Sequence, residues 1–226
     1  MNYDFEIKIV HYKKLIERKK ALENELKNKN INYEFIENFD RKTLSNEELG
    51  KFTNDINDAY KANFLSHVEC YKKLVNSKHK YVLILEDDSY PKPSFYVKIN
   101  NYLKQLPTEF DLFYISEGKT KFKIPFYKRI PFKKVYKKQN KYTNWGGHGA
   151  TKFADGYFIS HKCAQIMFDE FNKTDYKVNT SIDWWKNEII EKHNLNVFWG
   201  EPSLIYTNLY ETSFTGKFGQ GKIDTL

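Results

Sequence analysis

The sequence predicts an α/β protein, a mostly parallel mixed sheet flanked by helices. Three observations carry that prediction. Short apolar runs alternate with amphipathic stretches, the run Tyr81 to Leu85 is apolar at every position, and no internal repeat interrupts the order. A continuous apolar run marks a strand buried on both faces, as in parallel sheets. Alternation of such runs with helical patterns marks βαβ units. At 226 residues the chain suits a single domain spanning 1–226. A chain of that length buries on the order of 70% of its surface and needs no disulfides.

In chain order, Phe5 to Val10 alternates and then turns apolar, as a first strand does. Tyr12 to Lys27 carries Leu15, Lys19, Leu22 and Leu26 at helical spacing, and Asn32 to Glu37 reads as a short second strand. Asp40 to Lys51 is polar and loop-like. Asp55 to Leu74 is a long amphipathic helix through Ile56, Tyr60, Phe64, Val68 and Tyr71. The strand Tyr81 to Leu85 halts at Glu86, Asp87 and Asp88, and Pro91 and Pro93 close the loop after it. Phe95 to Leu106 reads as a helix, Asp111 to Ser116 as a strand, and Phe153 to Ser160 as a strand feeding a helix, His161 to Phe171. Ser181 to His193 is a further helix. Val197 to Trp199 and Leu204 to Tyr206 form a last pair of strands, and Thr212 to Gly221 is a flexible Gly, Thr and Ser-rich run.

Composition excludes several classes. The 18 Phe, 17 Tyr and 4 Trp exclude a disordered chain. No window approaches the roughly 20 apolar residues of a transmembrane helix, and Met1 to Val10, with Asp4, Glu6 and Lys8, is no signal peptide. Cys70 and Cys163 each sit in a helical apolar pattern and read as reduced core thiols. The expected location is cytoplasmic, or peripheral to a membrane through the basic segment.

The net charge is +8, yet of 37 basic residues only Arg18, Arg41 and Arg129 are arginines. Readers of nucleic acid lean on arginine for bidentate contacts, so no nucleic-acid partner is expected. The excess is also local. From Lys119 to Tyr142 there are ten basic residues and no acidic one, and without them the chain would carry −2. This stretch belongs to a basic, aromatic-rich loop at about 117–150, with Phe122, Phe126, Tyr127, Phe132 and Tyr136 among the lysines. It reads as a groove for an anionic acceptor or nucleic acid backbone, as a lid over a nucleotide diphosphate, or as a solvated insertion. His148, in the glycine cluster after it, is a ligand or a plain loop residue.

The triplet Glu86-Asp87-Asp88 is the strongest chemical signal. Ligands of open α/β sheets gather at the carboxyl ends of strands, and carboxylates there need a partner. A hard divalent cation is one: it takes one or two carboxylates together with substrate phosphates. Glu86 and Asp88 point to the same side of an extended chain. The plain alternative is a strand end paired with lysines. Asp183, between Ile182 and Trp184, is either a base in a partly apolar cleft or a first-turn acid favouring its helix dipole. His67 is a residue packed behind the carboxylate strand or a ligand. No Ser-His-Asp order, His-Glu-x-x-His, Walker loop or Cys-x-x-Cys appears.

Four blocks together resemble glycosyltransferase family 25, the group of lipooligosaccharide β-galactosyltransferases and collagen galactosyltransferases. They are Ile9-Val10 with Arg18-Lys19 and Tyr33-Glu34-Phe35-Ile36; Phe64-Leu65-Ser66-His67; Tyr81 to Asp88; and Gly156-Tyr157-Phe158-Ile159-Ser160 with Ala164, Ile182-Asp183 and Pro202. The resemblance implies a GT-A, Rossmann-like fold and inverting transfer of a hexose, galactose or glucose, from a UDP-sugar. The acceptor it implies is a hydroxyl of a glycan, lipooligosaccharide or hydroxylysine-type group. It also implies Mn2+ or Mg2+ held by Glu86 and Asp88, a donor site including Arg18, Asp87, His67 and Gly156, and Asp183 as catalytic base. The chain departs from the family pattern at His11-Tyr12, where an Asn-Leu pair is usual, and in the length of its basic stretch. A non-catalytic nucleic-acid- or anion-binding module using 119–142 is the alternative.

Overall fold

The computed structural model of the protein describes residues 4–118, 122–138 and 149–208. His148, Lys119, Lys121, Lys141 and the run from Thr212 lie outside the described residues.

Among the described residues seven strands form the main sheet: β1 (Ile7–Val10), β2 (Tyr33–Ile36), β3 (Tyr81–Glu86), β5 (Leu112–Tyr114), β6 (Val135–Lys138), β7 (Gly156–Ser160) and β8 (Val197–Gly200). Their order is β2-β1-β3-β7-β5-β8-β6. β7 and β6 run against their neighbours and the other five share one direction, so the sheet is mixed and mostly parallel, as the sequence predicts. Among the described residues six α-helices accompany it: α1 (Ile16–Leu26), α2 (Asn46–Gly50), α3 (Asp58–Val75), α4 (Phe95–Gln105), α5 (His161–Phe171) and α6 (Ile182–His193). A second, two-stranded sheet pairs β4 (Ser89–Pro91) with β9 (Ile205–Thr207).

The period-2 geometry of strands sorts the apolar residues into two cores. Val10, Val82, Ile84, Leu112, Tyr114, Tyr157, Ile159, Val197 and Trp199 face the layer built from α3, α5 and α6. Ile7, Ile9, Leu83, Leu85, Phe113, Phe158 and Phe198 face α1 and α4, through Leu22, Leu26, Phe95, Ile99 and Tyr102. In β3 every residue from Val82 to Leu85 is fully buried because both faces are covered. Caps set the helix starts: Asn57 Oδ1 accepts the Ala59 N–H at 2.7 Å, and Ser160 Oγ accepts that of Cys163 at 3.2 Å. Cys70 and Cys163 are buried, free thiols, as expected.

Four sequence expectations change. Within the stretch read as a loop at 117–150, Val135–Lys138 is the edge strand β6, paired antiparallel with β8. Lysine charge hid its alternation: Lys138 is fully buried with Nζ 5.4 Å from the Trp199 ring centre, where burial brings the amine down to about 8, while Lys137 is exposed. The polar stretch at 40–51 contains α2, closed by a capping box in which Ser45 and Glu48 each bond the other's backbone N–H. Leu204 to Tyr206 does not pair with Val197 to Trp199; β9 joins β4 instead. β7 starts at Gly156 rather than Phe153, because Phe153 itself has φ +61°, outside the extended region, while Asn187 of α6 accepts the Ala150 and Thr151 N–H groups of the loop before it.

Glu170 ties α5 to the end of α6, accepting from Lys173 at 2.7 Å, Lys192 at 2.8 Å and His193 at 2.6 Å. Burial disfavours its charge, but these three donors outweigh it and hold the carboxyl at about 2, from 4.5. A depressed carboxylate stabilises the fold above its unfolded pKa and loses that contribution as pH falls towards 2. Glu170→Gln should therefore cost about 1 kcal/mol at pH 7, discounted for the solvent-exposed partners, or roughly 2–4 °C in Tm. Melting curves of both proteins should converge as pH falls from about 4.5 to 2.

Candidate functional site

The chain adds β2 to one side of β1, then crosses over through α3 to add β3 on the other. Strand order reverses there, which opens a crevice at the carboxyl ends of β1 and β3. A cleft of about 550 Å³ including its open mouth occupies this position. Its walls are Val10, His11 and Tyr12 after β1, Arg18 from α1, Phe39 and Arg41 after β2, and the triplet after β3. Ala59, Ala62, Asn63 and Ser66 from the first turns of α3 complete it. Their small side chains leave the room that a ligand needs.

The three carboxylates of the triplet live in different surroundings. Asp87 is buried and fully engaged: Oδ2 accepts from His11 Nδ1 at 2.8 Å and the Tyr12 N–H at 3.3 Å, and Oδ1 from Arg18 Nη1 at 2.7 Å. It anchors the guanidinium in the cleft. The departure from the family pattern at His11 thus supplies one of its donors, the imidazole; the Tyr12 donor is backbone. Glu86 Oε1 accepts from Asn63 Nδ2 at 3.0 Å and lies 3.4 Å from His67 Nε2. Burial opposes its charge, yet His67, Asn63 and the Lys186 ammonium hold it below the usual carboxylate range.

Asp88 is the exception. Among the described residues its Oδ1 is buried without a hydrogen-bond partner, and Oδ2 has only Arg18 Nη1, at 3.7 Å. Burial, then the charges of Glu86 and Asp87, push its carboxyl up to about 8. A carboxylate stranded among like charges is short of a cation.

His67 and Gly156, expected to touch a cofactor, stand behind the cleft instead of lining it. His67 is fully buried, its pKa lowered by burial. Because the ionised Glu86 only accepts, Nε2 carries the proton and Nδ1 accepts from Tyr157 Oη at 2.9 Å, which in turn sits 2.9 Å from Tyr71 Oη. His67 therefore orients Glu86. Gly156 pairs with Leu85, and a Cβ there would meet Ile205 and Ser116 at 3.3 Å, so it permits close packing of β7 against β9.

Asp183 lies in the first turn of α6, outside the cleft walls. Trp185 beside it is buried, whereas Trp184 is exposed. Its Oδ1 is 3.9 Å from Lys186 Nζ. Lys186 is fully buried, with Nζ 3.8 Å from the Tyr157 ring centre and donating to Phe153 O at 3.4 Å. Burial brings the amine down to about 8, while Asp183, Glu86 and Asp155 favour its charge. One buried cation thus sits between Asp183 and the carboxylates at the β3 end.

Four residues of this region escaped the sequence reading. Arg41 shares the cleft with Arg18, and its guanidinium lies 4.9 Å from the Tyr12 ring centre. Its signal was rarity: a chain with three arginines places two in one cleft. Asn63 stands four residues before His67, on the same helix face. Asp155 carries no local signal; Thr207 Oγ1 donates to it at 2.8 Å, and burial with the Glu86 charge raises its carboxyl to about 6. Lys186 was hidden because sequence does not report burial. Among the described residues, no three His, Cys, Asp or Glu side chains converge as a metal-binding group.

A charged crevice at the switch point of an α/β sheet defines a class of protein that binds its ligand there. The family follows from the sequence itself: residues 5–182 match glycosyltransferase family 25 (LPS biosynthesis protein). The chain belongs to that family and is a glycosyltransferase. The matched span ends one residue before Asp183. Two solved structures are similar. One is a glycosyltransferase involved in the glycosylation of the major capsid of PBCV-1, at 9% identity and TM-score 0.49, covering 92% of this chain and 94% of that one. The other is A197 from STIV, at 11% identity and TM-score 0.41, covering 91% and 83%. No curated protein matches the chain. No described helix is long and apolar enough to cross a membrane.

Proposed function

We propose that the protein transfers a hexose, galactose or glucose, from a UDP-sugar to an acceptor hydroxyl with inversion, using Mn2+ or Mg2+. The observation that carries this reading is Asp88: a carboxylate with a stranded oxygen, beside Arg18 and Glu86, at the mouth of the switch-point cleft. An oxygen-donor pair fits a hard divalent cation, which takes one or two carboxylates and completes its shell with substrate phosphates and water. Glu86 and Asp88 would hold the ion, which when bound neutralises charge developing on the leaving diphosphate.

The remaining roles fall to the chain's own residues. Arg18, held by Asp87, and Arg41 present two permanent cations to the diphosphate; guanidinium matches phosphate oxygens in pairs. Tyr12 and Phe39 offer apolar walls for the base. Asp183 accepts the proton of the acceptor hydroxyl as that oxygen forms its bond to the anomeric carbon, on the face opposite the breaking bond to the diphosphate. UDP leaves with the bonding pair. Lys186 Nζ, 3.9 Å from Asp183 Oδ1, faces that carboxylate as it takes the proton. The acceptor is a glycan or a lipid- or protein-linked hydroxyl.

Calorimetric titration with UDP, with and without Mn2+, and then a panel of nucleotide sugars tests the reading. Metal-dependent UDP binding and preference for one sugar support it; absence of binding in both conditions, from folded protein, overturns it. Arg41→Ala should weaken UDP binding about tenfold while leaving the melting temperature of the free protein within about 2 °C, because it removes one phosphate partner from the cleft wall. Unchanged affinity would remove Arg41 from the donor site.

A further inference from the structure

A surface far from ordinary soluble composition lies on the basic segment. Between Phe126 and Phe132, four large apolar side chains face solvent: Phe126 is 82% exposed, Tyr127 71%, Ile130 56% and Phe132 89%. Exposed apolar residues scattered singly are normal, but a cluster of this kind marks an interaction site. The backbone beneath them is tied down. Phe126–Lys128 is a 3-10 turn closed by Lys128 N–H to Pro125 O at 2.9 Å. Tyr136 Oη accepts the Ile130 N–H at 2.9 Å and donates to Lys133 O at 3.2 Å. Gln105 of α4 donates to Phe132 O at 3.1 Å and accepts the Lys134 N–H at 2.7 Å. Arg129 is pinned by Glu201 at 3.0 Å. Phe132 itself has φ +64°, a conformation that costs energy for any bulky L-residue. The fold therefore holds the most exposed ring outward on a strained but well-bonded loop.

Charge identifies the partner. Lys123 and Lys133 flank the rings and are exposed, and no acidic residue occurs from Lys119 to Tyr142. Aromatic and aliphatic tips ringed by lysine suit an interface that is apolar below and anionic above, the surface of a bilayer containing acidic lipid. We propose that the 122–134 loop docks the protein peripherally on an anionic membrane, with Phe126, Tyr127, Ile130 and Phe132 entering the headgroup boundary. This assignment does not depend on the donor or the metal.

The test uses the full chain and vesicles of phosphatidylcholine alone or with about 30% phosphatidylglycerol, by sedimentation. Binding should require the anionic lipid and fall with salt. Lys123→Glu/Lys133→Glu should lose at least about 25-fold in partitioning, at about fivefold per charge. Phe126→Ser/Phe132→Asn should lose more than about tenfold; asparagine tolerates the left-handed backbone, so this variant should fold. A fluorophore on Phe126→Cys should shift to the blue on binding, and Cys70 and Cys163, being buried, stay unlabelled. The proposal is overturned by absence of vesicle binding, or by binding that only the lysine variant reduces and that leaves the fluorophore unchanged. It is equally overturned if Phe126→Ser/Phe132→Asn instead dissolves a concentration-dependent dimer of free protein, or if the lysines bind oligonucleotide but no vesicle.

Discussion

Asp88→Asn is expected to abolish sugar transfer, by roughly 10³-fold or more, while raising the melting temperature of the ligand-free protein. The first effect follows from losing an ion ligand that contributes several kcal/mol to the transition state. The second follows from the geometry. Asp88 is half-buried beside Glu86 and Asp87, its Oδ1 buried with no hydrogen-bond partner among the described residues, and its carboxyl is raised to about 8. A carboxyl raised in the folded state destabilises the fold as pH climbs from its unfolded value near 4 towards 8. An amide has no such charge. The variant should therefore gain several degrees at pH 8 and little at pH 4, and UDP with Mn2+ should no longer shift its melting. Stability given up at a working site is a familiar trade. Unchanged turnover with unchanged metal dependence would remove Asp88 from the site; a drop in free-protein stability would show its carboxylate to be structural.

Asp183→Asn is expected to reduce transfer by about 10²–10⁴-fold, the range of a lost general base, with UDP affinity within about twofold of the parent. The two readouts separate because Asp183 stands outside the cleft walls, beyond Lys186. The asparagine is isosteric and stays in the first turn of α6, so folding should survive. A fall in UDP affinity with the rate held would make Asp183 a donor-binding residue. Equal rates would leave it as a helix-dipole partner, and its place beyond the family match would then be telling.

The candidate site was legible where chemistry is written in contiguous residues. Glu86, Asp87 and Asp88 follow a run that declares itself a buried strand, and the structure sets them at the sheet's carboxyl edge. Their separate duties were not legible. Asp87 is consumed by His11, Tyr12 and Arg18, which come from 69 to 76 residues earlier in the chain. His67 was placed near the carboxylates correctly but serves Glu86 from behind, because α3 packs on the face of β3 opposite to α1. Nothing in the local sequence marks Lys186 and Asp155; helix packing and strand register bury them.

Local pattern alone determined the strand run of β3, the long α3 helix, the free core thiols and the acidic terminus of β3, because each depends on neighbours within a few residues. Tertiary structure decided the rest: β6 as a strand, since Lys138 is buried against Trp199 while Lys137 faces solvent; the pairing of β9 with β4; and the gathering of two arginines in one cleft. It also decided that, of the triplet, Asp88 keeps a buried oxygen with no hydrogen-bond partner among the described residues. Coulomb energy and desolvation depend on distance and burial, and neither quantity exists until the chain has folded.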